Sequence, residues 1–331
     1  MIGKTEKQNQ QPMEKIETFS GNVTGFVADL PRKYIIRIGR LLGSLAYVLD
    51  RRHRRIVERN LKFTHPEWNQ DHIRKLARGV FQNMGITFLE ICQMFSFSGK
   101  DILRNVRIRG EENLFEALKS PKGLILISAH LGNWEMGHIF ISVYLRKPML
   151  LIARKIQSGI LNRWIHRLRS RFGNTIIDKK GALREMARTL SEGKILALLI
   201  DQGTKRSEGV EVTFFGRTTT MTPAPAMLAR RYDCSVLPAF CVREPDAGLT
   251  LLFEPPLRFE KTNDSHADLL KNTQTMAYTI EQAVRDHMEQ WFWFHKRWKR
   301  HYPYLYPEDI SMRQRRREKR KTKMKNQNTG D

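Results

Sequence analysis

The 331-residue chain is poor in cysteine, in acidic side chains and in long apolar runs, and each shortage excludes a class of protein. Its three cysteines, Cys92, Cys234 and Cys241, form no CxxC or Cys/His cluster, which argues against a disulfide framework and a structural zinc site and favours a reducing compartment. No apolar run reaches the ~18 residues that a spanning helix needs, so we expect no transmembrane helix. The first twenty residues are polar and lack the apolar core of a signal peptide.

Acidic side chains are outnumbered, since 34 Asp and Glu stand against 58 Lys and Arg and give a formal net charge of +24. Such a charge describes partners and solubility rather than fold. It fits nucleic acid, an anionic membrane surface, or an acidic protein or substrate. Hydrophobic residues make up 40% of the chain. This composition excludes a wholly disordered chain and a polytopic membrane protein.

Composition divides the chain into three parts. We predict a disordered lead over residues 1–30, a single globular domain over 31–305 and a basic, disordered tail over 306–331. Within that tail, residues 312–325 contain nine Lys or Arg and one Glu, with no apolar period. This pattern is typical of a solvated basic segment.

The domain begins with an apolar stretch from Tyr34 to Leu49 that is broken by Arg37 and Arg40 and followed by four arginines between 51 and 55. An apolar face flanked by arginines is what a helix lying in a bilayer interface needs, because the cations meet lipid phosphates. The same pattern also fits an ordinary amphipathic helix packed on the core. The sequence leaves both interpretations open.

From about residue 123 the chain alternates β-rich apolar runs with helical patterns. Buried strands are predicted over 123–129, 149–152, 194–200 and 235–242, and an alternating or edge strand over 249–253. Helical periodicity covers 71–98, 158–172 and 181–192. Strands that alternate with helices predict an α/β fold, with a mainly parallel central sheet flanked by helices and a helical N-terminal region.

The segment from Ile127 to Gly137 carries the clearest chemical signal. A strand delivers His130 to its end, Gly132 permits a tight turn, and Asn133 can cap the helix that follows. A carboxylate in the first turn of that helix, Glu135, can fold back to the imidazole across such a junction. It would then hold one ring nitrogen and leave the other free to take a proton.

No good nucleophile accompanies this histidine. Ser128 lacks the Gly-x-Ser-x-Gly elbow, and the cysteines have no electropositive motif beside them. The pattern therefore suits direct activation of a substrate hydroxyl without a covalent enzyme intermediate. A base that deprotonates an alcohol beside oxyanion-stabilising donors describes acyl transfer.

Five segments together resemble one known family in the family's own order. They are residues 51–61 (RRHRRIVERNL), the His130–Glu135 segment, residues 169–173 (RSRFG), Asp201-Gln202 with residues 214–217 (FFGR), and residues 289–299 (EQWFWFHKRWK). The chain resembles the lipid A biosynthesis (lauroyl/myristoyl) acyltransferase family, within the glycerolipid acyltransferase-like fold. The resemblance covers roughly residues 30–300.

The resemblance implies roles for residues at these positions. His130 would be the general base and Glu135 its orienting partner. The remaining expected site residues would bind substrate or shape the site: Arg154, Arg169, Arg171, Asp201, Gln202, Phe214, Phe215 and Gly216. No metal or cofactor is expected, since the sequence has neither a P-loop nor a ligand cluster. The Trp291–Trp298 cluster fits stacking on nucleic acid, but in this family setting we expect it to pack the C-terminal end against the sheet.

The implied function is transfer of a fatty acyl group from an acyl carrier protein thioester to a hydroxyl of a lipid A precursor, at the cytoplasmic face of the inner membrane. The expected partners are the carrier protein, the lipid A precursor and anionic inner-membrane phospholipid, with no specific nucleic acid. One alternative is an acyl-CoA- or carrier-dependent acyltransferase for another glycolipid, an aminolipid or a lysophospholipid. The other alternative is a basic nucleic-acid-binding protein, although no recognised motif supports it.

Overall fold

The computed structural model describes residues 25, 27–120, 122–153, 158–179 and 181–309. The helices are α1 (Arg32–Leu49), α2 (Arg51–Thr64), α3 (Gln70–Met94), α4 (Gly99–Arg104), α5 (Glu111–Leu118), α6 (Trp134–Leu145), α7 (Gly159–Ser170), α8 (Leu183–Ser191), α9 (Ala224–Tyr232) and α10 (Ser265–Asp286). The strands are β1 (Val106–Arg109), β2 (Leu124–Ser128), β3 (Met149–Ala153), β4 (Thr175–Asp178), β5 (Ile195–Leu199), β6 (Val210–Phe214), β7 (Arg217–Met221), β8 (Ser235–Arg243) and β9 (Leu249–Phe253).

Within the described residues, seven strands form one sheet in the order β1-β9-β8-β2-β5-β3-β4. Every neighbouring pair is parallel except β8 and β9. Strands β6 and β7 form a separate antiparallel hairpin. The predicted α/β fold with a mainly parallel sheet is confirmed.

Apolar layers cover both faces of the sheet, because successive strand residues point to opposite sides. On β2, Ile125 and Ile127 belong to one buried cluster with residues of α2, α3 and α10, whereas Leu124 and Leu126 belong to another with residues of α6 and α7. All four side chains are at most 3% exposed. The strand therefore reads as a continuous apolar run, as a doubly covered parallel strand should.

The five predicted strands all occur, but the position given to the last of them is wrong. Strand β9 is not at an edge, since it lies between β1 and β8 and is almost wholly buried. The edges are β1 and β4, which span four residues each and are partly exposed. Such short, half-polar strands carry no apolar run by which a sequence pattern could find them.

Helices α1 and α3 pack with their backbones in contact through glycines. A methyl group on Gly39 would lie 2.6 Å from the Cα of Ile86, and one on Gly85 would collide with the carbonyl oxygen of Gly39. Gly43 likewise faces the backbone of Phe81. The buried side of α1 is therefore fixed against α3, as the core-packing interpretation predicts.

The opposite side of α1 is also apolar, but it faces solvent. Five aliphatic side chains on this side are between 42% and 71% exposed: Leu41, Leu42, Leu45, Val48 and Leu49. A helix whose only contacts were with the core would carry polar residues there. We call these five residues the exposed α1 face. No helix among the described residues is long and apolar enough to cross a membrane.

The chain after α10 returns over the carboxyl ends of the strands and is held by α2. The Asn60 side chain donates to the carbonyl oxygens of Trp293 and His295 at 2.7 and 3.0 Å and accepts from the Tyr306 hydroxyl. Residues 306–309, assigned above to the tail, pack here, with Tyr306 fully buried. Most of the predicted lead and tail, residues 1–24 and 310–331, lies outside the described residues.

Candidate active site

His130 and Asp201 meet because two neighbouring parallel strands end in register. Ser128 on β2 pairs with Leu199 on β5, so the residues two positions further on are brought side by side. His130 Nδ1 lies 2.8 Å from Asp201 Oδ1. The carboxyl ends of parallel strands are where α/β proteins place their site residues.

The surroundings of Asp201 favour its ionised form. Burial raises the pKa of this carboxyl, but the adjacent His130 and the indole of Trp291 lower it further, to about 2. Trp291 Nε1 donates to Asp201 Oδ2 at 2.9 Å. An ionised carboxylate on Nδ1 fixes the tautomer of the imidazole with its proton on Nδ1.

The free edge of the imidazole faces outward. The His130 side chain is 21% exposed, whereas that of Asp201 is 2% exposed. Among the described residues, the hydrogen bonds of the ring involve Nδ1 alone, so Nε2 is available to a substrate. The rings of Trp134 and Phe292 stand beside the imidazole, with centroids 5.2 and 6.0 Å away. The ring is therefore oriented through Nδ1 and accessible at Nε2.

The turn after His130 has the predicted form. Gly132 adopts a φ of +59°, and a side chain there would strike the carbonyl oxygen of Cys241, so glycine is required on both counts. Asn133 caps α6 by accepting from the backbone N–H of Met136 at 3.0 Å. The strand–turn–helix reading of this segment is confirmed.

Glu135 does not take the place beside His130 that the sequence predicts for it. Its carboxylate forms a two-bond ion pair with Arg169 on α7, at 2.8 and 2.5 Å, and accepts from Trp134 Nε1 at 3.0 Å. The helix begins at Trp134 and directs Glu135 towards α7, while Asp201 already occupies Nδ1. Among the described residues, the hydrogen bond of Glu135 towards the site is the one from Trp134, whose ring packs on His130.

This ion pair is buried on both sides. The side chains of Arg169 and Glu135 are 15% and 3% exposed. Burial raises the pKa of Glu135, but Arg169 lowers it further, to about 2. Arg169 is thus committed to a protein carboxylate rather than presented to a substrate.

Of the other two predicted arginines, the structure describes Arg171 alone, and its hydrogen bonds lie away from His130. Arg171 donates to the carbonyl oxygens of Met94, Phe95 and Phe97 at 2.6 to 2.9 Å, and so caps the carboxyl end of α3. Arg154 lies outside the described residues.

The expected site residues Phe214, Phe215 and Gly216 belong to the β6–β7 hairpin, next to Trp291. Phe214 and Phe215 are buried, and their rings pack against Trp291 at 5.7 and 6.4 Å. Phe215 and Gly216 form the two-residue turn between β6 and β7, with φ values of +52° and +65°. Such a turn needs positive φ at both positions. These residues support Trp291 and do not reach His130, and Gln202 lies half-buried directly after Asp201.

A buried polar cluster, which the sequence did not reveal, holds the turn from the other side. Glu90 on α3 accepts from Asn133 Nδ2 at 3.0 Å and pairs with Arg243 on β8 and Arg32 on α1. Thr87, one turn earlier on α3, donates to the carbonyl oxygen of Gly132 at 3.0 Å. A glutamate within an apolar helical period is the signal that could have indicated it.

A small apolar cavity of about 10 Å³, room for one water molecule, lies between α6 and the sheet beside Trp134. Its lining includes Leu126, Ile141 and Leu251, with Ser128 and His138 as the polar members. Burial lowers the pKa of His138 to about 4 and keeps the ring neutral. Among the described residues, no group of three or more His, Cys, Asp or Glu side chains is arranged to hold a metal ion.

Comparison with known proteins identifies the family of the chain. The family described as bacterial lipid A biosynthesis acyltransferase matches residues 5–300, which includes every site residue described above. The chain belongs to this family. It is therefore an acyltransferase of lipid A biosynthesis.

Relatives of known activity support the assignment across most of the chain. The lipid A biosynthesis lauroyltransferase of Escherichia coli is 26% identical over 84% of this chain and 89% of its own length. The lipid A biosynthesis palmitoleoyltransferase of the same organism is 22% identical over 89% and 95%. The phosphatidylinositol mannoside acyltransferase of Mycolicibacterium smegmatis is 26% identical over 56% of this chain and 60% of its own length.

Proposed function

We propose that this lipid A family acyltransferase performs a late, secondary acylation, moving a fatty acyl group from an acyl carrier protein thioester to a hydroxyl of a lipid A precursor. The observation that carries the mechanism is the His130–Asp201 pair, with Nδ1 held at 2.8 Å and Nε2 facing outward. The similarity to E. coli lauroyl- and palmitoleoyltransferases, over 84% and 89% of this chain, supports the choice of substrates.

The reaction begins with His130. Its Nε2 removes the proton of the acceptor hydroxyl while the oxygen attacks the thioester carbonyl carbon, so a C–O bond forms and the carbonyl electrons move onto oxygen. The tetrahedral intermediate then collapses and breaks the C–S bond. The thiolate leaves and takes the proton from Nε2, which restores the neutral imidazole. No bond to the protein forms.

Asp201 balances the charge that His130 gains. Its carboxyl group has a pKa of about 2, so it stays ionised at neutral pH. The carboxylate stabilises the imidazolium that forms during the attack. This role replaces the one expected of Glu135. The Glu135 carboxylate instead accepts a hydrogen bond from Trp134 Nε1 at 3.0 Å. It thereby fixes the indole ring that packs beside the imidazole of His130.

The amino end of α6 supplies donors for the oxyanion. Helix α6 begins at Trp134, four residues after His130, and the backbone N–H groups of Trp134 and Glu135 have no acceptor inside the helix, whereas that of Met136 donates to Asn133. The partial positive charge of a helix start favours a developing negative charge nearby. Because Arg169 is paired with Glu135, we assign the oxyanion to these backbone groups rather than to that arginine.

The exposed α1 face suits attachment to a membrane surface. Its five aliphatic side chains are followed directly by Arg51, Arg52 and Arg55, which are exposed on α2. Apolar residues enter the acyl boundary while arginines meet anionic headgroups. We propose peripheral association with the cytoplasmic face of the inner membrane, where lipid A precursors are presented.

A second candidate keeps the chemistry and changes the acceptor. The similarity to phosphatidylinositol mannoside acyltransferases covers 56% of this chain and favours a mannosylated glycolipid. We rank it second, because that match spans 60% of the relative whereas the lauroyltransferase match spans 89%.

The test is acyl transfer by the purified protein, followed by mass spectrometry of the lipid product. We expect wild-type protein with acyl carrier protein thioester to add one acyl chain to a lipid A precursor. His130→Ala should lose about 100- to 10,000-fold in kcat, whereas His166→Ala, which removes an exposed histidine on α7, should not. Equal turnover by His130→Ala and wild type would refute the mechanism. Acylation of a mannosylated lipid alone would establish the second candidate.

A further inference from the structure

Two tryptophans in the segment after α10 occupy similar places but donate to different partners. Trp291 and Trp293 are 3% and 0% exposed, and their rings lie edge to face at 4.6 Å. Trp293 Nε1 donates to the carbonyl oxygen of Met288 at 2.8 Å, which serves only the local backbone. Trp291 Nε1 donates to Asp201 Oδ2 at 2.9 Å.

Trp291 therefore donates the second of the two hydrogen bonds that hold the Asp201 carboxylate. One oxygen accepts from His130 Nδ1 and the other from the indole, so neither is left without a donor in a site where the side chain is 2% exposed. A buried carboxylate oxygen without a donor is costly, and a carboxylate held at one oxygen can rotate. The indole fixes the plane in which the other oxygen meets the imidazole.

The same segment also holds the backbone of the catalytic turn. Trp291 pairs with Leu131 in an antiparallel bridge, and Phe292 donates its backbone N–H to the carbonyl oxygen of His130 at 2.9 Å. Gly132 donates to the carbonyl oxygen of Gln290 at 3.1 Å. Both members of the His130–Asp201 pair are thus set against one short stretch of chain.

The indole itself is fixed by aromatic neighbours. The rings of Phe214 and Phe215 pack on it at 5.7 and 6.4 Å, and Trp293 closes a third side. A donor locked by packing can hold its acceptor to a narrow range of angles. Phe214 and Phe215, which were expected to shape the site, therefore act on it indirectly, by supporting the tryptophan that orients Asp201.

We propose that Trp291 is a positioning residue for acyl transfer, which acts through Asp201 to aim the imidazole of His130. The proposal rests on the proposed function, in which His130 is the base. Trp291 touches neither substrate nor the reacting atoms in this role. Its effect falls on kcat rather than on KM, because it sets the geometry of the base and not the binding of either substrate.

The matched variants are Trp291→Phe and Trp293→Phe, which each remove one indole N–H and a similar ring volume from neighbouring buried positions. We expect Trp291→Phe to lower kcat by about 10- to 100-fold, the usual effect of losing an outer hydrogen-bond partner, with KM changed by less than about two-fold. Trp293→Phe should lower kcat by less than about three-fold. Equal losses in the two variants would overturn the proposal.

A double-mutant cycle separates positioning from general destabilisation. In the Asp201→Asn background, Trp291→Phe should cost less than about three-fold in kcat, since the carboxylate through which the tryptophan acts is gone. The same fold loss in both backgrounds would overturn the proposal. If Trp291→Phe does not fold, benzothienylalanine introduced at position 291 keeps the ring shape and removes only the N–H, with the same expectations.

The experiment also distinguishes a failure of this proposal from a failure of the proposed function on which it rests. If His130→Ala and Asp201→Asn lose activity while both tryptophan variants match wild type, the positioning role is wrong and the proposed mechanism stands. If His130→Ala and Asp201→Asn retain wild-type kcat, the proposed mechanism is wrong, and the positioning role falls with it.

Discussion

At the scale of single residues, the site depends on which carboxylate pairs with His130 and which pairs with Arg169. Asp201 lies against His130, and Glu135 lies against Arg169. The sequence placed His130 and Asp201 each at the end of a strand but could not pair them, because they are 71 residues apart and only the register of β2 with β5 joins them. Local spacing favoured Glu135, which is close in sequence but directed elsewhere by its helix.

Two isosteric variants test this division of roles. Asp201→Asn should lower kcat by about 100-fold or more, because the imidazolium loses its counter-charge. Glu135→Gln should instead lower the free energy of unfolding by about 3–5 kcal/mol, because it leaves Arg169 buried without its partner. Enzyme kinetics and urea unfolding of both variants measure the two effects. An unchanged kcat in Asp201→Asn would contradict the assignment.

A buried histidine beside the site predicts how stability depends on pH. Burial lowers the pKa of His138 to about 4, from an ordinary value of 6.5, so the unfolded chain binds this proton more tightly than the native protein does. Stability contributed by the neutral ring is complete above pH 6.5 and is lost as the pH falls towards 4. The loss amounts to about 3 kcal/mol at most.

Unfolding in urea at pH 7, 6 and 5 checks this expectation. Wild-type stability should fall across the series, and His138→Gln should show a shallower fall because its side chain does not titrate. The Glu135 carboxyl, with a pKa of about 2 against 4.5, adds a separate loss only between pH 4.5 and 2. The same slope in His138→Gln and wild type would show that another group is responsible.

At the scale of secondary-structure elements, the pattern of apolar residues predicted the strands that are buried on both faces of the sheet. It missed the strands that are partly exposed. The central strands β2, β3, β5 and β8 and the helices between them appear where their apolar runs predict. The hairpin of β6 and β7 was missed, because its strands span only five residues each and the buried positions of β7 include Thr219 and Thr220, so β7 carries no apolar run. Its tight turn at Phe215-Gly216 lacks the Asn-Gly signal that marks such hairpins.

The contact between α1 and α3 depends on glycine at positions that a pattern of apolar residues does not report. Gly85→Ala would drive a methyl group into the carbonyl oxygen of Gly39 and should destabilise the protein by about 1–3 kcal/mol. Gly159→Ala, at the start of α7, meets only the end of the Arg163 side chain at 3.8 Å. That control should be unchanged or stabilised by up to about 1 kcal/mol. Thermal unfolding compares them, and equal stabilities would contradict backbone contact between the helices.

At the scale of the whole molecule, the net charge of +24 and the exposed α1 face are the two features on which the proposed membrane association rests. The charge alone fitted nucleic acid equally well. The structure adds that a basic segment directly follows five exposed aliphatic residues, a combination that a lipid surface satisfies and a nucleic acid does not. Which side of α1 stays uncovered could not be predicted from its residues alone, because that depends on how α3 packs.

Vesicle sedimentation tests the membrane surface. Leu45 on α1 and Leu183 on α8 are both 52% exposed, so their replacement by glutamine removes similar apolar area from two different faces. Leu45→Gln should weaken binding to anionic vesicles by about ten-fold, and Leu183→Gln should leave it unchanged. Binding should also weaken as salt is raised, since the arginines of α2 meet charged headgroups. Equal binding by the two variants would place the membrane contact elsewhere.

The central claim is that this protein acylates a lipid A precursor with His130 as the base. Its most direct test is a single assay, in which purified wild type and His130→Ala receive the same acyl carrier protein thioester and lipid A precursor, and the product is weighed by mass spectrometry. The predicted result is a gain equal to one acyl chain with wild type and no gain with His130→Ala over the same time. The same gain with both proteins would contradict the claim.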